Sequence, residues 1–263
     1  MLLSTEKEMQ MNIDWNEATD TDGGATREFR ISDDDRRDIT GAVWLPTESS
    51  VSTLVCFGHG ASGDRYQAPI AHLAARFVER GLPVLSLDGP VHGLRQVGPG
   101  GREAFFPEFQ RNACITDMIS DWALAVQAAQ GLANVGTGAL AYFGLSMGSL
   151  FGIPLIASRD DVTVATLGLV GIQSGFPHTG TLREACGRIH CPVFFIMQLE
   201  DELFDREGYL EVFDTFPSVD KRIHANPGLH PEIPAEEIDF AFDFLISHIE
   251  GTAQRRIVNP LAE

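Results

Sequence analysis

Short apolar runs alternate along the chain with longer stretches in which apolar residues recur every three or four positions. The runs Val51–Phe57, Pro83–Leu87, Ala139–Phe143, Val162–Leu169 and Val193–Gln198 have the length and side-chain character of buried strands, and a shorter one lies near Asp220–His224. The stretches Gln67–Arg80, Cys114–Gln130, Met147–Ser158, Arg206–Phe216 and Ala235–Ile249 read as helices. Gly81 and Gly131 follow two of them as C-terminal stops, and Pro234 suits the first turn of the last. Strands separated by helices in this order imply a parallel sheet covered on both faces. Ahead of them, REFRIS and ITGAVWLP alternate around the polar turn DDDRRD, which predicts an antiparallel hairpin over 27–46.

Residues 1–25 are polar and end in TDTDGGAT, so they read as a loose arm, and 26–263 as one domain without internal repeats. Residues 89–112, GPVHGLRQVGPGGREAFFPEFQRN, break the rhythm. Glycine, proline and paired phenylalanines there form neither a strand nor a clean helix, and long irregular stretches in compact domains are usually functional. We expect a small cap or lid. The N-terminus MLLSTEKEMQMNIDW lacks the basic start and apolar core of a secretory signal, and the apolar runs fall short of a membrane span. A cytoplasmic protein without membrane partners is expected.

Composition narrows the classes further. The chain has 263 residues, 44% hydrophobic and 21% charged, enough for one sizeable core. A net charge of -18 repels phosphate backbones and anionic lipid, which argues against nucleic acid as a partner. Cys56, Cys114, Cys186 and Cys191 are scattered, two of them in apolar runs, and read as reduced thiols; no spacing suggests a zinc site or another metal centre.

The strongest local signal is GLSMG, Gly144–Gly148, which fits G-x-S-x-G between an apolar strand and a helix opening on SLFGIPLIA. Small residues around the serine allow a sharp, strained turn that exposes its hydroxyl, and the helix start brings N–H groups near developing negative charge. On these residues the chain resembles the α/β-hydrolase fold, closest to dienelactone hydrolase-like and prolyl-oligopeptidase-like esterases, over most of 27–250. The resemblance implies a mostly parallel twisted sheet, an antiparallel N-terminal hairpin, helices on both faces and a triad in the order nucleophile, acid, histidine.

Ser146 is then the nucleophile. His224, His230 and His248 lie late enough to serve as its base; His230, in the loop NPGLHPEIP, matches the family's position, whereas His224 falls in a strand and His248 is expected at the surface of the last helix. The acid should follow PVFFIMQ, in LEDELFDRE. Asp201, before Glu-Leu-Phe, matches the family pattern; Asp205 suits a helix N-cap, and Glu200 and Glu202 are the other carboxylates there.

The loop FGHGASGDR, with its His59-Gly60 pair, resembles the family's oxyanion loop, so the N–H groups of Ala61 and Met147 are the expected oxyanion donors. Asp88 and His92 are expected to brace that region. His59, Phe105, Phe106 and Phe109 are candidate substrate contacts, although the phenylalanines serve equally well as anchors onto the core. Arg65 and Arg95 are candidates for a substrate carboxylate.

The resulting expectation is a serine hydrolase that cleaves a small-molecule carboxylic ester through an acyl-enzyme, with no metal or organic cofactor. Thioester, lactone, C–C bond or peptide hydrolysis would use the same triad, and a non-catalytic ligand-binding protein of this fold is the alternative from another class. The partners expected are the small molecule and, in a homodimer, a second copy of the chain.

Overall fold

The computed structural model describes residues 12–21, 23–32, 38–49 and 52–254. Among these residues ten strands form one sheet: β1 (Asn12–Trp15), β2 (Thr19–Thr21), β3 (Gly24–Ser32), β4 (Ile39–Pro46), β5 (Leu54–Gly58), β6 (Val84–Leu87), β7 (Leu140–Leu145), β8 (Val162–Gly168), β9 (Val193–Gln198) and β10 (Lys221–Asn226). Their spatial order is β1-β3-β4-β6-β5-β7-β8-β9-β10, with β2 paired to β3. From β6 to β10 neighbours run parallel, while β1, β2, β3 and β4 join antiparallel. The predicted hairpin is therefore β3–β4; the centre of its turn, like residues 1–11 of the expected arm, lies outside the described residues.

Among the described residues seven α-helices cover the sheet: α1 (Ile70–Glu79), α2 (Gly101–Phe109), α3 (Cys114–Gln130), α4 (Met147–Ala157), α5 (Thr179–Cys186), α6 (Arg206–Thr215) and α7 (Ala235–Ile249). Strand alternation splits the core in two. Cys56, Tyr142 and Phe195 point to one side with Trp122 of α3 and Phe151 of α4, while Val55, Phe143 and Phe194 point to the other with Phe77 of α1 and Phe242 of α7. Side chains two residues apart in a strand share a face, so continuous apolar runs supply both layers at once. No helix among the described residues is long and apolar enough to cross a membrane.

The structure differs from the sequence expectation at three places. Part of the expected loose arm is strand: Asn-Ile-Asp-Trp of β1 alternates, and Trp15 packs 5.3 Å from Phe29 of β3. Within 89–112, residues 101–109 are helical despite Pro107. Phe105 and Phe109, one helical turn apart, stack at 5.2 Å and both meet Phe151 edge-on, and this anchoring outweighs the local bias against a helix. Finally, α5 was not expected; it buries Leu182, Ala185 and Cys186.

One close approach sets the geometry of the sheet's centre. A Cβ on Gly148, in the first turn of α4, would lie 2.2 Å from the Gly58 carbonyl oxygen at the end of β5, and a Cβ on Gly58 would lie 2.3 Å from the Tyr142 hydroxyl. Backbone cannot yield there as a flexible side chain would. Gly148→Ala is expected to lower the unfolding free energy by about 3 kcal/mol, read as a lower urea midpoint. A midpoint equal to that of the wild type would show that α4 can lift without cost.

Candidate active site

Ser146 stands between β7 and α4 with φ 57° and ψ -119°, a conformation that L-residues adopt only under constraint. The constraint is visible. Its N–H donates to the Gly168 carbonyl at 3.0 Å. The buried Ser149 hydroxyl lies 2.6 and 2.7 Å from the carbonyl oxygens of Gly144 and Gly168 and accepts from the Gly168 N–H. The Tyr142 hydroxyl donates to the Gly148 carbonyl at 2.7 Å. Side chains at Gly144 and Gly148 would collide with this packing.

His230 comes from the loop after β10 and is 3% exposed. Its Nε2 lies 2.8 Å from Ser146 Oγ and its Nδ1 2.6 Å from Asp201 Oδ2. Asp201, in the turn after β9, also accepts from the N–H groups of Leu203 and Phe204 and from the Tyr209 hydroxyl. Burial alone would raise the Asp201 carboxyl, but hydrogen bonds from His230, Tyr209 and the Leu203 N–H outweigh it and hold the group below its ordinary value.

The neighbouring carboxylates do other work. Asp205 caps α6 through the Gly208 N–H, and Glu200 accepts from the Gly228 N–H. Glu202 accepts from the main-chain N–H of His230 at 2.9 Å, which holds its carboxyl below the ordinary value. Such a serine–imidazole–carboxylate series can pass the serine proton to the ring as the oxygen attacks, while the carboxylate orients the ring and stabilises its charged form.

The N–H groups of Ala61 and Met147 have no hydrogen-bond partner among the described residues, and Ala61 lines the cleft that holds Ser146. The Ala61 loop is braced from below. His59, 2% exposed, donates from Nδ1 to the Gly60 carbonyl and accepts at Nε2 from the Gly89 N–H. Burial lowers its pKa to about 4, so the ring stays neutral as this pairing requires. His92 Nε2 lies 3.0 Å from the Ala61 carbonyl, and Gln67 accepts from the Gly60 N–H at 2.7 Å. Free N–H groups on a braced backbone can hold developing negative charge with little reorganisation.

Other expectations need correction. His59 borders the cleft, but both its ring nitrogens are engaged by main chain, so it positions the loop and has no polar atom free for substrate. Phe105 and Phe109 are buried beneath the segment, Phe106 is exposed, and none of the three lines the cleft. Arg65 and Arg95 are consumed internally: Arg65 pairs with Asp88 and Glu28, and Arg95 with Asp121 at 2.7 Å. His248 is half-buried, with Nε2 3.2 Å from Asp220. Asp88, wholly buried, accepts from Thr40, Arg65 and the Leu94 N–H, a bracing role as expected. Burial pushes the Cys56 thiol up to about 12 and Cys191 to about 11, which suits inert thiols.

Sequence reasoning missed Tyr209, Gln67 and Arg102. Tyr209 lies one helical turn beyond the Asp205 cap, and Gln67 just beyond the HG loop, but neither forms a motif by itself. Arg102 was hidden in the irregular segment, yet it lines the Ser146 cleft, an open space of about 130 Å3.

Neither the family models nor the curated proteins compared with the chain match it. Among solved structures, it is similar to a cold-adapted esterase from an Arctic intertidal metagenomic library. The zinc-bound form of that esterase is 30% identical, with a TM-score of 0.72 over 88% of this chain and 99% of that one. The PEG-bound form is 28% identical, with a TM-score of 0.71 and the same coverage. Acetyl xylan esterase 1 from a Thermoanaerobacterium species shares the fold at 14% identity, with a TM-score of 0.72 over 90% of this chain and 88% of that one.

The Asp201 environment makes a pH-dependent prediction. A carboxyl lowered on folding stabilises the protein above the ordinary aspartate range near pH 4, and that contribution fades as the pH falls through the lower folded value. Tyr209→Phe removes one donor to the ionised form. It is expected to cost about 1–2 kcal/mol near pH 7 and progressively less as the pH falls through the folded titration of Asp201, read from urea unfolding across the acid range with the Asp201 carboxyl followed by NMR. A cost that stays constant while that carboxyl titrates would mean that the hydroxyl does not favour ionised Asp201.

Proposed function

The chain belongs to the α/β-hydrolase family, and we propose that it is a serine hydrolase cleaving small-molecule carboxylic esters through an acyl-enzyme. One observation carries this reading: the 2.6 and 2.8 Å contacts that join Asp201, His230 and Ser146 in series at a strained strand-to-helix turn. Ser146 attacks the ester carbonyl while His230 Nε2 takes its proton. The N–H groups of Ala61 and Met147 receive the oxyanion. His230 then protonates the departing alcohol, and the acyl group stays on Ser146 Oγ. Water, deprotonated by the same ring, attacks the acyl-enzyme; the second tetrahedral intermediate collapses, and His230 returns the proton to Ser146.

Two features support an ester of modest size. The similar structures at 27–30% identity are described as an esterase, and the cleft is small. Residues 89–112 act in this reading as a short cap, with Arg102 at its cleft-facing edge. A cytoplasmic setting fits thiols buried in apolar surroundings, such as Cys56 and Cys186.

A fluorophosphonate probe is expected to add one phosphonyl group to the wild type and none to Ser146→Ala, read by intact-protein mass. With p-nitrophenyl acetate or butyrate, Ser146→Ala and Asp201→Asn should each lower kcat by about a thousandfold or more. Absence of labelling and of turnover on ester, thioester and lactone substrates would favour a ligand-binding protein of the same fold. Turnover confined to thioesters or lactones would keep the triad and change the bond.

A further inference from the structure

We infer that Arg102 selects the substrate, so that the preferred esters carry a carboxylate a few bonds from the scissile carbonyl. The inference rests on the reading of Ser146 as an esterase nucleophile. Arg102 lines the same cleft as Ser146 and His230, and among the described residues no aspartate or glutamate lines it. It is the one lysine or arginine among those lining residues.

Its lack of a partner is the informative feature. The protein has 37 acidic residues against 19 basic ones, and arginines on its surface find carboxylates readily: Arg76 pairs with Asp239 at 2.7 Å and Arg183 with Glu211 at 2.6 Å. Arg102 is exposed and has no ion pair or hydrogen bond among the described residues. Helix stability does not explain it either. Arg102 occupies the first turn of α2, where the helix dipole disfavours a cation, and the helix start at Gly100 has no side-chain cap. Glu103 stands in the same turn but does not line the cleft, so the positive charge presented to the cleft is that of the Arg102 guanidinium.

A guanidinium offers a planar fork of donors matched to a carboxylate. The acidic protein as a whole repels an anionic ester at long range, and Arg102 reverses the sign locally. The two effects respond differently to salt, because screening shortens from about 10 Å at 0.1 M to about 3 Å at 1 M. For the wild type, preference for an anionic over a neutral ester of equal length should fall with salt. Without Arg102 only the repulsion remains, and the preference should rise.

The test measures kcat/KM for p-nitrophenyl hemiglutarate and p-nitrophenyl pentanoate and takes their ratio. Arg102→Gln is expected to lower that ratio about fivefold or more, chiefly through KM, and to invert its salt dependence; Arg102→Glu should lower it further, and Arg102→Lys should restore part of it. A ratio within twofold of the wild type in Arg102→Gln, with the same salt response, overturns the inference while leaving the esterase reading intact. A second arm needs no turnover: calorimetric binding of monomethyl glutarate and dimethyl glutarate to Ser146→Ala protein, with and without Arg102→Gln. Selective loss of half-ester binding in the double variant supports the anion site even if no ester is hydrolysed, in which case the esterase reading falls alone. Half-ester binding that is absent, or indifferent to Arg102, counts against the site.

Discussion

The contact of α4 on β5 through Gly148 and Gly58 is the constraint on which the rest of the site depends. A helix seated so close to a strand end leaves no room for a gradual turn out of β7, so Ser146 must take positive φ. Such a conformation costs on the order of 1–3 kcal/mol. The buried hydroxyls of Ser149 and Tyr142 help to hold it, both bonded to main-chain carbonyls on either side of the turn. The same seating sets the Met147 N–H at the start of α4, beside the hydroxyl it would assist. Local strain is thus maintained by packing on the far side of the sheet from α1 and α7.

Parallel strands explain why the remaining groups arrive on the same edge. Helical crossovers return each strand in one direction, so the loops after β5, β6, β7, β9 and β10 all emerge together, as ligand sites do in sheets of this kind. The loop after β5 brings Ala61, the one after β6 brings Asp88 and Gly89 beneath it, the turn after β7 brings Ser146, and those after β9 and β10 bring Asp201 and His230. The last two loops are stitched to each other. Glu200 takes the Gly228 N–H and Glu202 the His230 N–H, while Glu232 takes the intervening Leu229 N–H from within the same loop. Three successive N–H groups are held by three carboxylates, so the ring is placed by its backbone as well as by Asp201.

Much of this was legible in the sequence because its signals are local. The runs and spacings that predict β6 to β10 and the helices α1, α3, α4, α6 and α7 lie close to the observed elements, with Cys114–Gln130 matching α3 at both ends. GLSMG announces its turn through glycines that only a crowded strand-to-helix passage requires. What was not legible depends on contacts between distant segments. Nothing local marks Tyr209 as a donor to Asp201, because the relation exists only once α6 packs over the turn after β9. Arg65 and Arg95 read as free cations until Asp88 and Asp121, far away in sequence, close on them. For α2, Pro107 and the flanking glycines outvoted the Phe105–Phe109 spacing, and only packing on Phe151 reverses that vote.

The anchoring of 89–112 also constrains how the segment can act. Near its start, the Leu94 N–H is held by Asp88, and Arg95 reaches both the Asp88 carbonyl and the Asp121 carboxylate. Near its end, Phe105 and Phe109 are buried, and His178 Nε2 approaches the Phe109 carbonyl at 2.5 Å. Burying Asp88 and Arg95 costs desolvation that only complete pairing offsets, so lifting either end would strand a charge or expose aromatic surface. The stretch between these anchors, glycine-rich around Gly98, Gly100 and Gly101, is where backbone can shift cheaply, since a Cβ at Gly98 or Gly101 would meet nothing within 4 Å. Movement over the cleft is therefore expected to be a local adjustment of that glycine-rich stretch and of the exposed side chains beside it, with the aromatic floor staying in place.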